Sequence, residues 1–243
     1  HAFMQSKGFI YGPFPEIYNG TAGFYAYGPL GKLLKNKIEN SVRSLFFSNG
    51  FRELECPTVL PDIVWEASGH LHTYKDKIVE CEKCKAIFRA DKLIEEFLNK
   101  ETAGLKDDEM LKEIKKIKCP SCQGSFKEEI KGYSLMMKTK VAGKDFSLRP
   151  ETATVTYLPF KRLNEYFRKL PFAVFQIGKA YRNEISPRQH LLRCREFTQA
   201  EAQLFIDPKE KNNWHQYEFI KKERLPLYTS HHQEKELKLE EIS

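Results

Sequence analysis

Arg182, Glu184, Arg193, Arg195 and Phe197 are the residues of this chain best suited to chemistry, and they stand in one run from Tyr181 to Glu201, Y-R-N-E-I-S-P-R-Q-H-L-L-R-C-R-E-F-T-Q-A-E. Guanidinium groups stay charged and grip phosphate oxygens two at a time. An aromatic ring beside them can cover a purine, so the set suits a polyphosphate that carries a base. The plainer alternative is a row of surface ion pairs across a hairpin, which would contribute little. Residues 182 and 184, two apart, are expected on one face of a strand.

The flanks say what must hold these groups. Phe175 and Ile177 lead in, Ala202, Leu204 and Ile206 lead out, and Phe205 is turned the other way; two strands joined by a long charged loop are expected. Residues 9–31 crowd glycine, proline and aromatics into an ordered loop over a pocket, with Phe9, Tyr11, Phe14, Tyr18, Phe24, Tyr25 and Tyr27 seeking burial. A helix follows from about Leu30 to Ser48, carrying Leu33, Leu34, Ile38, Val42, Leu45 and Phe46 at helical spacing until Gly50 stops it. Phe51 to Pro61 alternates as a strand, and Pro57 marks an edge or bend where another chain can dock. Strand and loop character covers residues 133–160, and Leu158 to Leu170 reads as helix. Beyond Ile206 the chain turns polar, with Trp214 and Tyr217 as isolated apolar anchors and His231 and His232 in a surface loop.

Cys81 and Cys84, then Cys119 and Cys122, form two C-x2-C pairs separated by 34 residues. Two such turns can complete a tetrahedral zinc site, a structural one because four cysteine ligands leave no open position. Two disulfides or redox pairs are the alternative; a chain without a secretory signal favours the metal. Between the pairs, Leu93, Ile94, Phe97, Leu98, Leu111, Ile114 and Ile117 imply two helices, while Lys112, Lys115, Lys116 and Lys118 are a solvated face or an approach for nucleic acid. Cys56 and Cys194 read as packing residues, since nothing beside them supports a nucleophile.

The 243 residues carry 40 Lys+Arg against 33 Asp+Glu, a net charge of +7 that fits a phosphate-rich partner. At 41% hydrophobic and 13% aromatic, the composition allows one good core and a small appended module. No run approaches the roughly 20 apolar residues of a membrane helix, and His1-Ala2-Phe3-Met4 has no secretory layout. A cytoplasmic protein is expected, with both ends trimmed.

Residues 182–197 resemble motif 2 of the class II aminoacyl-tRNA synthetases, and residues 50–57, G-F-R-E-L-E-C-P, are similar to motif 1, which in that family builds the dimer interface. The runs R-P-E-T at 149–152, N-E-I-S-P-R at 183–188 and R-E-F-T-Q-A-E at 195–201 look like the dimeric type of glycyl-tRNA synthetase. So do Gly20 and Gly23, Y-G-P-L-G at 27–31, S-G-H at 68–70 and F-R-A-D at 88–91. The resemblance spans most of residues 9–206. It implies an α+β fold: an antiparallel sheet flanked by helices, with a zinc-binding module inserted. The expected parts are residues 1–80 as the first part of the catalytic core, 81–131 as the zinc module, 132–206 as the second part of the core and 207–243 as the start of another insertion.

Carried over by position, the resemblance gives Arg182 the α-phosphate of ATP, Glu184 the adenine amino group, Phe197 the adenine face and Arg193 the outer phosphates. Asn183, Leu192, Cys194, Arg195 and Glu196 lie along the same nucleotide site. Glu151 and Glu201 would take the glycine ammonium, with Phe197, Thr198, Gln199, Ala200 and Arg89 beside it. The implied enzyme activates glycine with ATP and Mg2+ and transfers it to tRNA(Gly), working as a homodimer through the motif 1 region. The family's third motif has no match before Ser243, so the chain is expected to be an incomplete catalytic domain that adenylates poorly. Rival readings are a non-catalytic synthetase-like nucleic-acid-binding subunit and a class II synthetase for serine, proline or threonine.

Overall fold

The computed structural model describes residues 2–187, 190–213, 217–227 and 240–242. Arg188, Trp214, His231 and His232 fall outside them. The chain divides into two compact units, residues 1–163 with 173–203, and residues 164–172 with 204–243.

In the first unit, hydrogen bonds to backbone groups help fix the N-terminal segment. Helix α1 (Ala2–Ser6) leads to β1 (Ile10–Tyr11), which pairs antiparallel with β2 (Ala26–Tyr27). Gln5 Nε2 donates to Gly12 O (2.8 Å), Gly12 N to Glu16 Oε1 (2.7 Å) and Phe14 N to Phe24 O (2.9 Å). With its shape held this way, the loop does not need all its aromatics inside. Phe14 and Tyr18 are 52% and 77% exposed, and Tyr11 and Tyr27 are exposed too, against the sequence expectation. Helix α2 (Pro29–Ser48) begins with a proline, whose missing N–H costs nothing in a first turn. A Cβ on Gly31 would stand 1.8 Å from Phe9 O, so only glycine lets the N-terminal segment cross the helix there. Phe46 stacks on Phe175 at 4.8 Å, but Leu33, Leu34, Ile38 and Leu45 remain exposed.

The single strand expected over Phe51–Pro61 is two. Strand β3 (Arg52–Glu53) ends early, and β4 (Val59–Pro61) starts in another sheet. Between them Cys56 N donates to Gln176 Oε1 (3.1 Å) and Cys56 O accepts from Arg149 Nη1 (2.9 Å), while Pro57 has no N–H for a ladder. Helices α3 (Asp62–Ala67) and α4 (His70–Thr73) follow. Strands β5 (Lys75–Glu80) and β6 (Ile87–Arg89) and helices α5 (Ala90–Leu98) and α6 (Asp107–Ile114) then build the cysteine segment, closed by β7 (Lys131–Ser134) on the other edge of β5. Its own core comprises Val79, Leu93, Ile94, Met110, Ile114, Ile117 and Phe126 among others. Each large apolar side chain buried there stabilises by about 1.5–3 kcal/mol.

Strands β8 (Met137–Val141) and β9 (Lys144–Leu148) complete an antiparallel sheet with β4 in the order β4-β9-β8. The stretch expected to continue as strand and loop instead contains helix α7 (Ala153–Tyr157), which buries Thr154, Val155 and Thr156. Helix α8 (Phe160–Phe167) is shorter than the expected 158–170. Strands β10 (Phe172–Tyr181) and β11 (Glu196–Phe205) form the expected pair around a charged loop, and β3 adds parallel to β10 through Val174 opposite Arg52. The fold is α+β, and among the described residues its sheets are antiparallel apart from the parallel pairing of β3 with β10.

Arg149 locks these sheets together. It is 2% exposed and donates Nε to Lys179 O (2.6 Å) and Nη1 to Cys56 O (2.9 Å) and Gln176 Oε1 (3.3 Å). A buried charge satisfied by neutral acceptors is costly to disturb. A Cβ on Gly178 would lie 2.3 Å from Arg149 Nη2, so that strand position admits only glycine.

In the second unit Phe167 stacks on Phe172 (4.7 Å) and Phe172 packs against Phe205 (4.9 Å). Helix α9 (Tyr217–Ile220) precedes an antiparallel pair, β12 (Leu225–Leu227) with β13 (Glu240–Ile242). Tyr217 is 56% exposed, where the sequence led us to expect an apolar anchor. No helix among the described residues is long and apolar enough to cross a membrane.

Candidate active site

Arg182 is the first residue after β10, and its guanidinium lies between two rings, 5.2 Å from the centroid of Phe197 and 5.8 Å from that of Tyr74. Nε donates to Pro150 O (3.2 Å), the carbonyl of the residue preceding Glu151. Tyr74 in turn packs on His70 (5.6 Å), and His70 Nε2 is 3.6 Å from Glu151 Oε1. Burial, opposed by Arg182, holds the Tyr74 phenol above its ordinary pKa. A cation, a carboxylate, an imidazole and two rings thus meet at one place, drawn from four separate segments. The sequence offered no signal for Tyr74 beyond its position at the end of a helical turn started by His70.

Glu184 follows Arg182 in a turn beyond the end of β10 rather than in a continuing strand. Its N–H donates to Arg182 O (2.7 Å), a three-residue turn that ends the strand pattern and with it the period-two argument. The carboxylate, 9% exposed, takes Arg193 Nε and Nη2 on Oε2, both at 2.8 Å. Arg195 points elsewhere. It donates Nε (2.9 Å) and Nη2 (2.7 Å) to Glu184 O and Nη1 to Ala22 O (3.0 Å), tying the charged loop to the N-terminal segment. Gly23 permits this approach, because a Cβ there would meet Arg195 Cγ at 2.9 Å. Asn183 is bound through its backbone N–H to Leu135 O (2.8 Å).

Alternation along β11 divides the remaining residues. Phe197, Gln199, Glu201 and Gln203 share one face. Glu201 accepts from Gln199 Nε2 on one oxygen (3.3 Å) and from Gln203 Nε2 on the other (3.2 Å), and Tyr157 OH donates to Gln203 Oε1 (3.2 Å). Gln199 Oε1 is buried and has no hydrogen-bond partner among the described residues. Glu196, Thr198 and Ala200 take the other face. Glu196 pairs with Lys179 (2.7 Å), and Thr198 and Ala200 line a cavity of about 370 Å³ with Leu34, Ile38 and Ile177. Leu192 is 89% exposed, and Cys194 is buried with its thiol pKa pushed up by that burial, as a packing residue should be.

Arg89 is held by Asp91 through Nε (3.1 Å) and Nη2 (2.6 Å), and its Nη1 lies 3.1 Å from Asp76 Oδ2. Although burial acts the other way, the Arg89 guanidinium holds the Asp91 carboxyl below the usual carboxylate range.

The four cysteines converge. Their sulfurs all lie within 4.8 Å of one another, with Cys81 to Cys122 at 3.5 Å and Cys84 to Cys119 at 3.7 Å. Disulfide sulfurs would sit about 2.05 Å apart, so these thiols are free. A tetrahedral zinc with bonds of about 2.3 Å puts sulfurs roughly 3.8 Å apart, so the donor set fits. Both turns have one geometry: Lys85 N donates to Cys81 O (3.1 Å) and Gln123 N to Cys119 O (2.8 Å), with Lys85 and Gln123 each at φ 59°. The N–H of Cys84, and then that of Lys83, help push the Cys81 thiol down to about 6. Among the nearby lysines, Lys115 pairs with Glu128 and Lys116 with Glu113, both at 2.8 Å.

Residues 137–230 match the family described as tRNA synthetase class II core domain (G, H, P, S and T). Over 240 residues, 96% of this chain, it is 50% identical to a glycine–tRNA ligase of Thermococcus gammatolerans and 49% identical to one of Pyrococcus horikoshii. The chain spans 42% of the length of each. Among solved structures, one titled the RNA binding domain of threonyl-tRNA synthetase from Cryptosporidium parvum aligns with a TM-score of 0.55 at 20% identity. That alignment covers 90% of this chain and 40% of the other and speaks to fold alone. The chain is therefore similar along nearly its whole length to a stretch of the glycine–tRNA ligases, and its residues 137–230 match the class II synthetase core family.

Proposed function

We propose that this chain, half of whose residues are those of glycine–tRNA ligases, provides the nucleotide and glycine sites of such a ligase. The observation that carries the reading is the Arg182 guanidinium over the Phe197 ring, beside the segment that bears Glu151. In the proposed reaction a glycine carboxylate oxygen attacks the α-phosphorus of ATP in line and pyrophosphate leaves. A hydroxyl of the terminal adenosine of tRNA(Gly) then attacks the carbonyl carbon, and AMP leaves. Charge neutralisation and positioning suffice for both steps, with no covalent enzyme intermediate.

Arg182 takes the α-phosphate and Phe197 the adenine face. The Glu184–Arg193 ion pair is the resting state: a nucleotide opens it, freeing Glu184 for the adenine amino group and Arg193 for the outer phosphates, which Mg2+ accompanies. Glu151 and Glu201 take the ammonium, and the bare Gln199 Oε1 offers it or its water a further acceptor. Glycine selection is by exclusion, since any larger amino acid must fit a β-carbon. Residues 81–131 form a zinc module held by Cys81, Cys84, Cys119 and Cys122. The core is split as residues 1–80 and 132–206, and 207–243 begin a further insertion. The exposed Leu33, Leu34, Ile38 and Leu45 on α2, next to motif 1, support a homodimer. A cytosolic location goes with a tRNA substrate.

Glycyl-sulfamoyl adenosine, a stable mimic of glycyl-adenylate, tests the reading by thermal shift. A ligand at about 100 times its Kd stabilises by about 2.7 kcal/mol, roughly 5–10 °C for a chain of this size. The glycyl compound should give that shift, and the seryl, prolyl and threonyl compounds should not. Equal shifts with all four, or none with any, would refute the assignment.

A further inference from the structure

We propose that His70 is a second acceptor for the substrate's ammonium group, its Nε2 lone pair facing the same donor as Glu151; this rests on the reading that Glu151 takes the ammonium. Ser68 Oγ lies 3.0 Å from Val64 O, 3.4 Å from Trp65 O and 2.9 Å from His70 Nδ1. The hydroxyl has one proton to give, and two carbonyl oxygens compete for it. Directed at Val64 O, it leaves Oγ as an acceptor, which requires the proton of a neutral imidazole to be on Nδ1.

Nε2 is then a bare lone pair, and it stands 3.6 Å from Glu151 Oε1. An N–H bonded to a carboxylate would close to about 2.7–2.9 Å. The wider spacing is that of two acceptors not bonded to each other, and a donor to one side of the pair can stand about 2.8–3.0 Å from both. Oε1 already accepts from Thr154 Oγ1 (3.1 Å), so Glu151 is held in place. The imidazole is held as firmly, with Trp65 edge-on at 5.5 Å and Tyr74 at 5.6 Å. The two side chains keep 16% and 30% of their surface open, enough for a small group to enter. A primary ammonium, with three N–H bonds, can donate to both acceptors at once. The imidazole takes no proton in the reaction and serves recognition only.

Paired ligands isolate the ammonium: glycyl-sulfamoyl adenosine carries it, and acetyl-sulfamoyl adenosine has a hydrogen in its place. His70→Phe keeps a ring between Trp65 and Tyr74 but removes the acceptor. It should weaken the glycyl compound about 10- to 100-fold, the range of a hydrogen bond to a charged group, and leave the acetyl compound unchanged. His70→Gln, which can carry an amide oxygen to the position of Nε2, should restore part of the loss. Equal weakening of both ligands, or of neither, overturns the proposal. Glu151→Gln separates it from the reading beneath: if that variant keeps the full preference for the glycyl compound, the ammonium site lies elsewhere. If Glu151→Gln loses the preference and His70→Phe keeps it, the role of His70 alone fails. Imidazole 15N shifts of the unsubstituted chain give a readout independent of folding; a proton on Nδ1 is expected, and one on Nε2 contradicts the proposal.

Discussion

Replacing Cys119 with serine should abolish metal binding and leave the segment from Val79 to Ile130 without stable structure. The core there is small, and both C-x2-C turns are pinned at its edge: Cys81 and Cys119 are fully buried, with Cys81 N bonded to Ala86 O (2.9 Å) and Cys119 N to Gly124 O (2.9 Å). Structural zinc contributes about 10–16 kcal/mol in small metal-folded peptides. That exceeds what a handful of buried aliphatic side chains can replace against the entropy of some fifty residues. Metal analysis should find one zinc per chain, and either chelation or Cys119→Ser should make the segment open to proteolysis while the β10–β11 pair stays protected. A metal-free chain whose cysteine segment resists protease as well as before would show the cluster to be packing alone.

The second large effect belongs to Arg182. Its contacts here are one carbonyl oxygen and two ring faces, so Arg182→Ala costs the fold only about 1–2 kcal/mol. The same change removes the only group we assign to the α-phosphate. Affinity for glycyl-sulfamoyl adenosine should fall about 100-fold or more, the scale of losing one pre-placed donor to developing charge. Arg182→Lys should recover little, because an ammonium can neither bond in fork geometry nor stack on Phe197 in the same way. Adenosine, which lacks the phosphate mimic, should bind both variants nearly as it binds the unsubstituted chain. If adenosine binding fell in parallel, Arg182 would be acting through the shape of the pocket instead.

How far the sequence could be read depended on whether a feature was local. Helix α2 came within one residue of its expected start because its boundaries are set by Pro29 and the Asn49-Gly50 stop. The cysteine cluster was legible for the same reason: ligand spacing is a property of two short turns. Strand alternation does not govern Arg182 and Glu184, because a single backbone hydrogen bond, Glu184 N to Arg182 O, replaces strand geometry at that point. The break after Glu53 could not be seen either, since what ends the strand is Arg149 and Gln176, both about a hundred residues away in sequence. The aromatics of residues 9–31 misled because hydrophobicity predicts burial only where packing has to hold the loop. His70 belongs to the S-G-H run at 68–70 that carried the resemblance, but no role could be read for it, and Tyr74 carries no pattern of its own; only the approach of Arg182 and Glu151 gives them meaning.

The most direct test of the site is a structure of the chain with glycyl-sulfamoyl adenosine bound. It should place the purine on the Phe197 ring, the sulfamoyl group against the Arg182 guanidinium and the ammonium at Glu151, with Glu184 parted from Arg193. If the Arg182–Pro150 and Glu184–Arg193 contacts stay closed and the ligand sits elsewhere, such as in the apolar cavity between α2 and Thr198, the residues taken as a catalytic pocket serve only to hold the hairpin in shape.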